Sequence, residues 1–380
     1  MTQLVDQQAA RGTTPLPMVV GPTRMAPSVR QRLSAPAPPL TDAGFISEFG
    51  DCLARLGEVV GSDTAELLVT PGSGTIGMEA IAASLLRPGA PVLVASTGVW
   101  ADRWREICLR QQVPVHAPRF AVGCPPELEL LEELLSRTQF QAVLVTQVDS
   151  SSGVRADIAE IAAIATQYDA LSLVDGVSAL GAEHVEVDEW GVDVYLAGPS
   201  KALGASAGLA IYALSDRAVS RLRDRSWGMG TFALDLAPWL PVMAATRRGE
   251  FGYYQSPASN LVLALSEALR LVLVEGRDVR VARHEALRDT LYAGLAALGI
   301  GLFVPDEAAR ANGVTVCRVP PGVDEAALLR EIAAEGVVLQ AGTLPAVGGS
   351  TFRIGHMGNV TETDIATTLR AIEAGLAACR

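Results

Sequence analysis

Short apolar, β-branched runs alternate with stretches of helical spacing along most of the chain. Leu67 to Val69 leads into a glycine turn and then a helical pattern from Gly77 to Leu86. Val92 to Ala95 reads as a strand, followed by a helix through Trp104 and Ile107. Ala142 to Val145 is a strand with a helix after Asp157, and Leu171 to Val174 and Val192 to Ala197 are two more strands. Runs this apolar and this short, separated by helices, predict an α/β fold with a mostly parallel sheet sandwiched by helices. From Leu261 the pattern changes. A long apolar helix to Glu275 and an arginine-rich helix, Val279 to Leu298, precede a smaller α+β region. That region reads as a strand at Gly313 to Arg318, a helix at Asp324 to Glu335, strands at Val337 to Leu339 and Thr351 to Ile354, and a helix from Glu362 to Ala378. The pattern predicts a polar arm over residues 1–17, a large domain over 18–265 and a small C-terminal domain over 266–380. A proline-rich stretch, Pro22 to Pro39, opens the large domain.

Composition narrows the function. A chain of 380 residues with 49% hydrophobic side chains buries a substantial core. A net charge of -12 argues against a nucleic-acid or anionic-membrane partner. No apolar run is long enough to cross a bilayer, and the polar start of the chain has no signal-peptide core. The five cysteines are scattered without CxxC spacing, so they read as thiols of a reducing compartment, with the cytoplasm as the default. Four histidines and no HExxH leave no metal centre to expect.

One residue changes the picture more than any total. Of 30 basic side chains 29 are arginine, and Lys201 is the single lysine. Only lysine can shed its proton and form a Schiff base; codon drift with one solvated leftover is the competing explanation. Lys201 follows the strand run ending at Ala197, and strand ends of such sheets are where ligands sit. Asp175 ends another apolar run 26 positions earlier. A carboxylate there needs a cation, and the protonated pyridine of pyridoxal 5′-phosphate (PLP) is one; a structural ion pair is another. The turn Thr70-Pro71-Gly72-Ser73-Gly74-Thr75 opens a helix and offers backbone N–H groups to a phosphate, or simply turns the chain. Trp100 could stack on a flat ring or fill the core, and Ser150-Ser151-Ser152 could supply hydroxyls or only a turn.

Taken in order, these segments resemble the class V aminotransferases among the fold-type-I PLP enzymes, in the alanine–glyoxylate and serine–pyruvate branch. The resemblance rests on Gly21-Pro22-Thr23-Arg24, on Pro71 to Ala80, on Val174 to Gly181, on Gly198-Pro199-Ser200-Lys201-Ala202-Leu203 and on Phe352 to Gly358. It implies that Lys201 holds PLP as a Schiff base and moves the proton, and that Asp175 pairs with the pyridine nitrogen. It further implies that Val177 packs under the ring and Trp100 stacks on its other face. Ser73, Gly74 and Thr75 would bind the phosphate with Ser200 nearby, and Ser151 would reach the ring. Arg353 would clamp a substrate carboxylate. Tyr253 and Ser256 would cross to the phosphate of a partner subunit, which implies a homodimer with shared active sites. The substrates implied are a small amino acid and a 2-oxo acid.

Several positions depart from the family pattern. Ser200 stands where glutamine is usual, Gln147-Val148-Asp149 replaces His-x-Glu, and Gly176 stands where alanine is usual. These departures keep a second outcome open: elimination, replacement or carbon–carbon bond formation on an activated amino acid. Cys317 lies in a strand pattern, which argues against a cysteine desulfurase. His356 reads as a packed residue, and Arg221-Arg223-Arg225 as a solvated helix face.

Overall fold

The computed structural model describes residues 14–224, 226–228 and 230–379. Residues 1–13 of the expected arm, and Arg225, lie outside the described residues.

The strands in chain order are β1 (Leu16–Pro17), β2 (Glu66–Gly72), β3 (Val92–Ala95), β4 (Val115–His116), β5 (Ala142–Thr146), β6 (Val148–Asp149), β7 (Val154–Arg155), β8 (Leu171–Asp175), β9 (Val194–Ala197), β10 (Gly208–Leu214), β11 (Val314–Arg318), β12 (Val337–Val338), β13 (Gln340–Ala341) and β14 (Thr351–Gly355). Seven of them form the main sheet in the order β2-β10-β9-β8-β5-β3-β4. All neighbours are parallel except around β10, which runs against both β2 and β9. Every residue of β3, β5, β8 and β9 is buried, as a parallel sheet covered on both faces requires. The expected α/β architecture is therefore present. β10, with the sequence GLAIYAL, is an addition to the expected strands.

The covering helices begin where the chain supplies caps. Asp42 accepts from the Phe45 N–H at 2.8 Å and starts helix Ala43–Val60, which ends at Gly61 with φ of 67°. Asp157 caps Ile158–Gln167, and a Thr361–Asp364 capping box starts Glu362–Ala378. The helix Pro27–Leu33, inside the proline-rich stretch, is a further addition.

One apolar core runs from Phe45 to Val272 around the main sheet. A second gathers Met18 with residues from Leu287 to Leu376 around β11, β14 and β13. β1 pairs parallel with β12, Leu16 opposite Val337, so the chain start is stitched to the C-terminal region. The chain then crosses to the main sheet, where the Thr23 N–H donates to the Ser200 carbonyl at 3.0 Å. No described helix is long and apolar enough to cross a membrane.

Candidate active site

β8 and β9 end side by side, with Asp175 opposite Leu196. Asp175 is the last residue of β8, and Lys201 lies just beyond β9. Both therefore reach the same end of the sheet. Asp175 is buried; it accepts from the Val177 N–H at 2.9 Å and from the Thr146 hydroxyl at 3.3 Å. Burial pushes its carboxyl up to about 6, with the nearby Asp149 charge adding to the rise. Burial also pulls the Lys201 amine down to about 8, and Arg353 adds to the fall while Asp175 opposes it.

The Lys201 ammonium donates to the Val20 carbonyl. Gly21 crosses directly over the lysine at φ of 115°, and a Cβ there would come within 2.6 Å of the Lys201 side chain. Glycine is required here twice over, for the backbone angle and for the close approach. Thr23 secures the lysine loop from the same segment, its hydroxyl donating to the Lys201 carbonyl at 2.6 Å.

Ser73 is the N-cap of helix Gly74–Leu85, its hydroxyl accepting from the Ile76 N–H at 3.3 Å. Gly74 and Thr75 open that helix, so free N–H groups face outward at this point. Val177 closes one side: a Cβ on Gly74 would lie 2.8 Å from its methyl group. Trp100 stands at the start of helix Val99–Arg110, and its indole N–H is buried without a partner. Ser200 is half-buried beside Lys201.

Asp149 organises the middle of the site. Its carboxylate accepts from the Trp100 and Ala101 N–H groups, both at 3.0 Å, and so caps the helix that carries Trp100. It also accepts from the Ser151 N–H at 2.9 Å and the Ser151 hydroxyl at 2.5 Å. The Ser151 hydroxyl is thus committed to Asp149. The neighbouring Ser150 hydroxyl is buried with no partner; the sequence offers it only as one of three serines in the turn, and the resemblance points to Ser151 instead. An orphaned buried hydroxyl awaits an acceptor or a donor, and only the folded turn reveals which serine is orphaned.

Arg353 lies on β14, buried, and donates to the Ala341 carbonyl at 2.9 Å and the Ser150 carbonyl at 3.2 Å. Both acceptors are neutral, and although the Asp149 and Glu325 carboxylates act on the guanidinium from nearby, neither is hydrogen-bonded to it. Tyr253 and Ser256 stand apart from this cluster on the surface. The Tyr253 hydroxyl meets the Ser256 hydroxyl at 3.3 Å, and Tyr253 is 60% exposed.

Two of the departures prove to be one feature. A Cβ on Gly176 would overlap the Tyr195 ring and hydroxyl. The Tyr195 hydroxyl in turn donates to the Gln147 side-chain carbonyl at 2.6 Å. Tyrosine at 195 thus excludes alanine at 176 and employs the glutamine at 147. His356 is packed against Thr315 at 2.8 Å, Cys317 is buried with its thiol pushed up, and Arg221 is half-buried rather than fully solvated.

A lysine with a lowered pKa and a buried acid at adjoining strand ends, a helix N-terminus for phosphate and unpartnered Ser150 and Trp100 groups fit PLP. The fold and site define a PLP-dependent enzyme. Comparison with known proteins narrows the class. The family model for class V aminotransferases matches residues 43–367. Alanine–glyoxylate aminotransferase 1 of Saccharomyces cerevisiae is 34% identical over 90% of this chain and 91% of its own. An uncharacterized aminotransferase of Methanocaldococcus jannaschii is 32% identical over 94% of this chain and 92% of its own. The crystal structure of an alanine–glyoxylate aminotransferase from Nostoc superposes with a TM-score of 0.91 at 26% identity, covering 96% of both chains. The chain belongs to the class V aminotransferases. It is a PLP-dependent enzyme that moves an amino group between an amino acid and a 2-oxo acid. Nothing in these comparisons supports the elimination or replacement alternative.

Proposed function

We propose that this enzyme transfers the amino group of a small amino acid to a small 2-oxo acid, with Lys201 as the Schiff-base residue. The observation that carries the reading is the placement of Lys201 and Asp175 at adjoining strand ends beside Arg353. The relatives named for alanine and glyoxylate support the substrate size.

PLP, when bound, supplies the electron sink for a cleaved Cα–H bond. Asp175 would hold the proton on the pyridine nitrogen, which replaces the missing cation beside this buried carboxylate. Ser73, Gly74, Thr75 and Ser200 would bind the phosphate, and Val177 and Trp100 would flank the ring. The Ser150 hydroxyl, having no protein partner, is free to serve the cofactor, whereas the Ser151 hydroxyl is engaged by Asp149 and the Val99 N–H. Arg353 would clamp the substrate carboxylate, fixing which bond at Cα faces Lys201. The Lys201 amine, its pKa lowered to about 8 chiefly by burial, would take the Cα proton once deprotonated.

Tyr253 and Ser256 lie too exposed to serve their own chain's site, so we place them at the phosphate of a second copy in a homodimer. We keep the expected division into an arm over 1–17, a large domain over 18–265 and a small domain over 266–380 in outline; the first apolar core extends on to Val272, and Met18 packs in the second core with Leu287 to Leu376. Buried Cys52 and Cys108, whose thiols burial pushes up to about 12, suit a reducing cytoplasm.

The test is the half-reaction. The purified holoenzyme, given a panel of single amino acids and no acceptor, should convert its cofactor to pyridoxamine phosphate with alanine or serine. Glyoxylate or pyruvate should then restore the starting absorbance. A holoenzyme that accumulates no pyridoxamine phosphate with any donor does not have this function.

A further inference from the structure

Every group so far assigned to the phosphate is neutral: Ser73, Gly74, Thr75 and Ser200, together with Tyr253 and Ser256 of the second copy. A phosphate monoester carries nearly two negative charges at neutral pH. The helix N-terminus at Gly74 offers about half a positive charge, which leaves most of that charge uncompensated. A dianion held by neutral groups alone gains from a cation within reach.

Arg103 is a cation at this cradle with no assigned purpose. It lies one turn after Trp100 on helix Val99–Arg110, so the two side chains share a face. Its guanidinium sits over the Trp100 ring, 4.5 Å from the centroid. It also donates to the Thr75 hydroxyl at 2.6 Å, and Thr75 is the second residue of the cradle helix. Arg103 is half-buried, and none of the ion pairs among the described residues includes it. Arg353, proposed above for the substrate carboxylate, has a similar signature: its hydrogen bonds go to neutral acceptors. A half-buried guanidinium that meets only a hydroxyl and a ring face is poised for an anion.

We propose that Arg103 is a cofactor-binding residue that supplies the positive charge for the PLP phosphate. The inference rests on the cofactor site described above and adds to it a residue that neither the motif nor the spacing identifies. Stacked on Trp100 and tied to Thr75, Arg103 links the ring-stacking residue to the phosphate cradle.

The experiment compares two ligands on the cofactor-free protein. PLP and pyridoxal share the ring and the aldehyde, and differ in the phosphate. Titrations that follow the absorbance of the lysine-bound ligand give Kd for each. Wild-type protein that binds neither would reject the cofactor site itself, separately from Arg103. In Arg103→Met the Kd for PLP should rise about tenfold or more, as expected for loss of a charge-assisted contact. The Kd for pyridoxal should stay within about twofold of wild type, because the ring contacts remain. Arg103→Lys should recover most of the PLP affinity. If Arg103→Met folds poorly by circular dichroism, Arg103→Gln serves for the same comparison. Equal weakening of both ligands would show that Arg103 only supports Trp100, and unchanged PLP affinity would remove it from the site; either overturns the proposal.

Discussion

Gly176 illustrates how a single position is set by a neighbour far away in sequence. Its missing side chain leaves the room that the Tyr195 ring occupies, and Tyr195 reaches on to Gln147. Gly176→Ala forces an overlap that should lower the unfolding free energy by about 1–3 kcal/mol. In a Tyr195→Leu background the same change should cost much less. The four proteins of this cycle, unfolded in urea, should show a coupling of at least about 1 kcal/mol; additive effects would mean that the two positions are independent. Asp175, next in the chain, makes a prediction about pH. Burial holds its carboxyl at about 6 in the fold against 3.8 in a free chain. Between those values the folded, cofactor-free protein keeps a proton that the unfolded chain has released. Its stability should therefore fall as pH rises through that window, by up to about 3 kcal/mol. Asp175→Asn should flatten that part of the curve, and an unchanged difference between pH 4 and 6 would contradict the assigned cause.

Helix Val99–Arg110 begins at Gly98, which has no side chain to cap it. Asp149 does so from the Ser-rich turn and binds the turn to itself with the same carboxylate. Removing it leaves several buried N–H groups without acceptors. Asp149→Ala should cost about 2–4 kcal/mol in urea unfolding and loosen PLP through Trp100 and the serines together. A loss under about 0.5 kcal/mol would show that water replaces the carboxylate. This device was invisible in the sequence, where Asp149 registered only as a departure from a motif. The parallel strands were legible because burial on both faces leaves them continuously apolar. β10 is as apolar as they are, yet alternation of strand and helix does not ask for a strand directly after the lysine loop. Lys201 and Asp175 were legible because each ends such a run. Ser150 and Arg103 were not: an unpartnered hydroxyl and a guanidinium without a carboxylate exist only once the chain has folded.

At the scale of the whole molecule, the described surface around Tyr253 is rich in exposed aromatic side chains. Phe251, 48% exposed, has its ring 6.3 Å from that of Tyr253, and Phe232, 74% exposed, has its ring 5.1 Å from that of the adjoining Tyr254. Large apolar side chains exposed together near Tyr253 suit the proposed interface with a second copy. If Tyr253 completes the partner's phosphate site, then each active site needs Lys201 from one chain and Tyr253 from the other. Lys201→Ala homodimers should be inactive, and Tyr253→Ala homodimers should bind PLP weakly. Mixing the two variants under conditions that exchange subunits forms hybrid dimers. In a hybrid, one site receives both lesions and the other receives neither. Half-reaction activity should therefore reappear in the mixture, up to about a quarter of the wild-type value, since about half the dimers are hybrids with one intact site each. The intact site should also hold PLP as tightly as wild type. If Tyr253 served its own chain, no hybrid would contain an unaltered site, and mixing would regain nothing beyond the residual activity of the Tyr253→Ala sites.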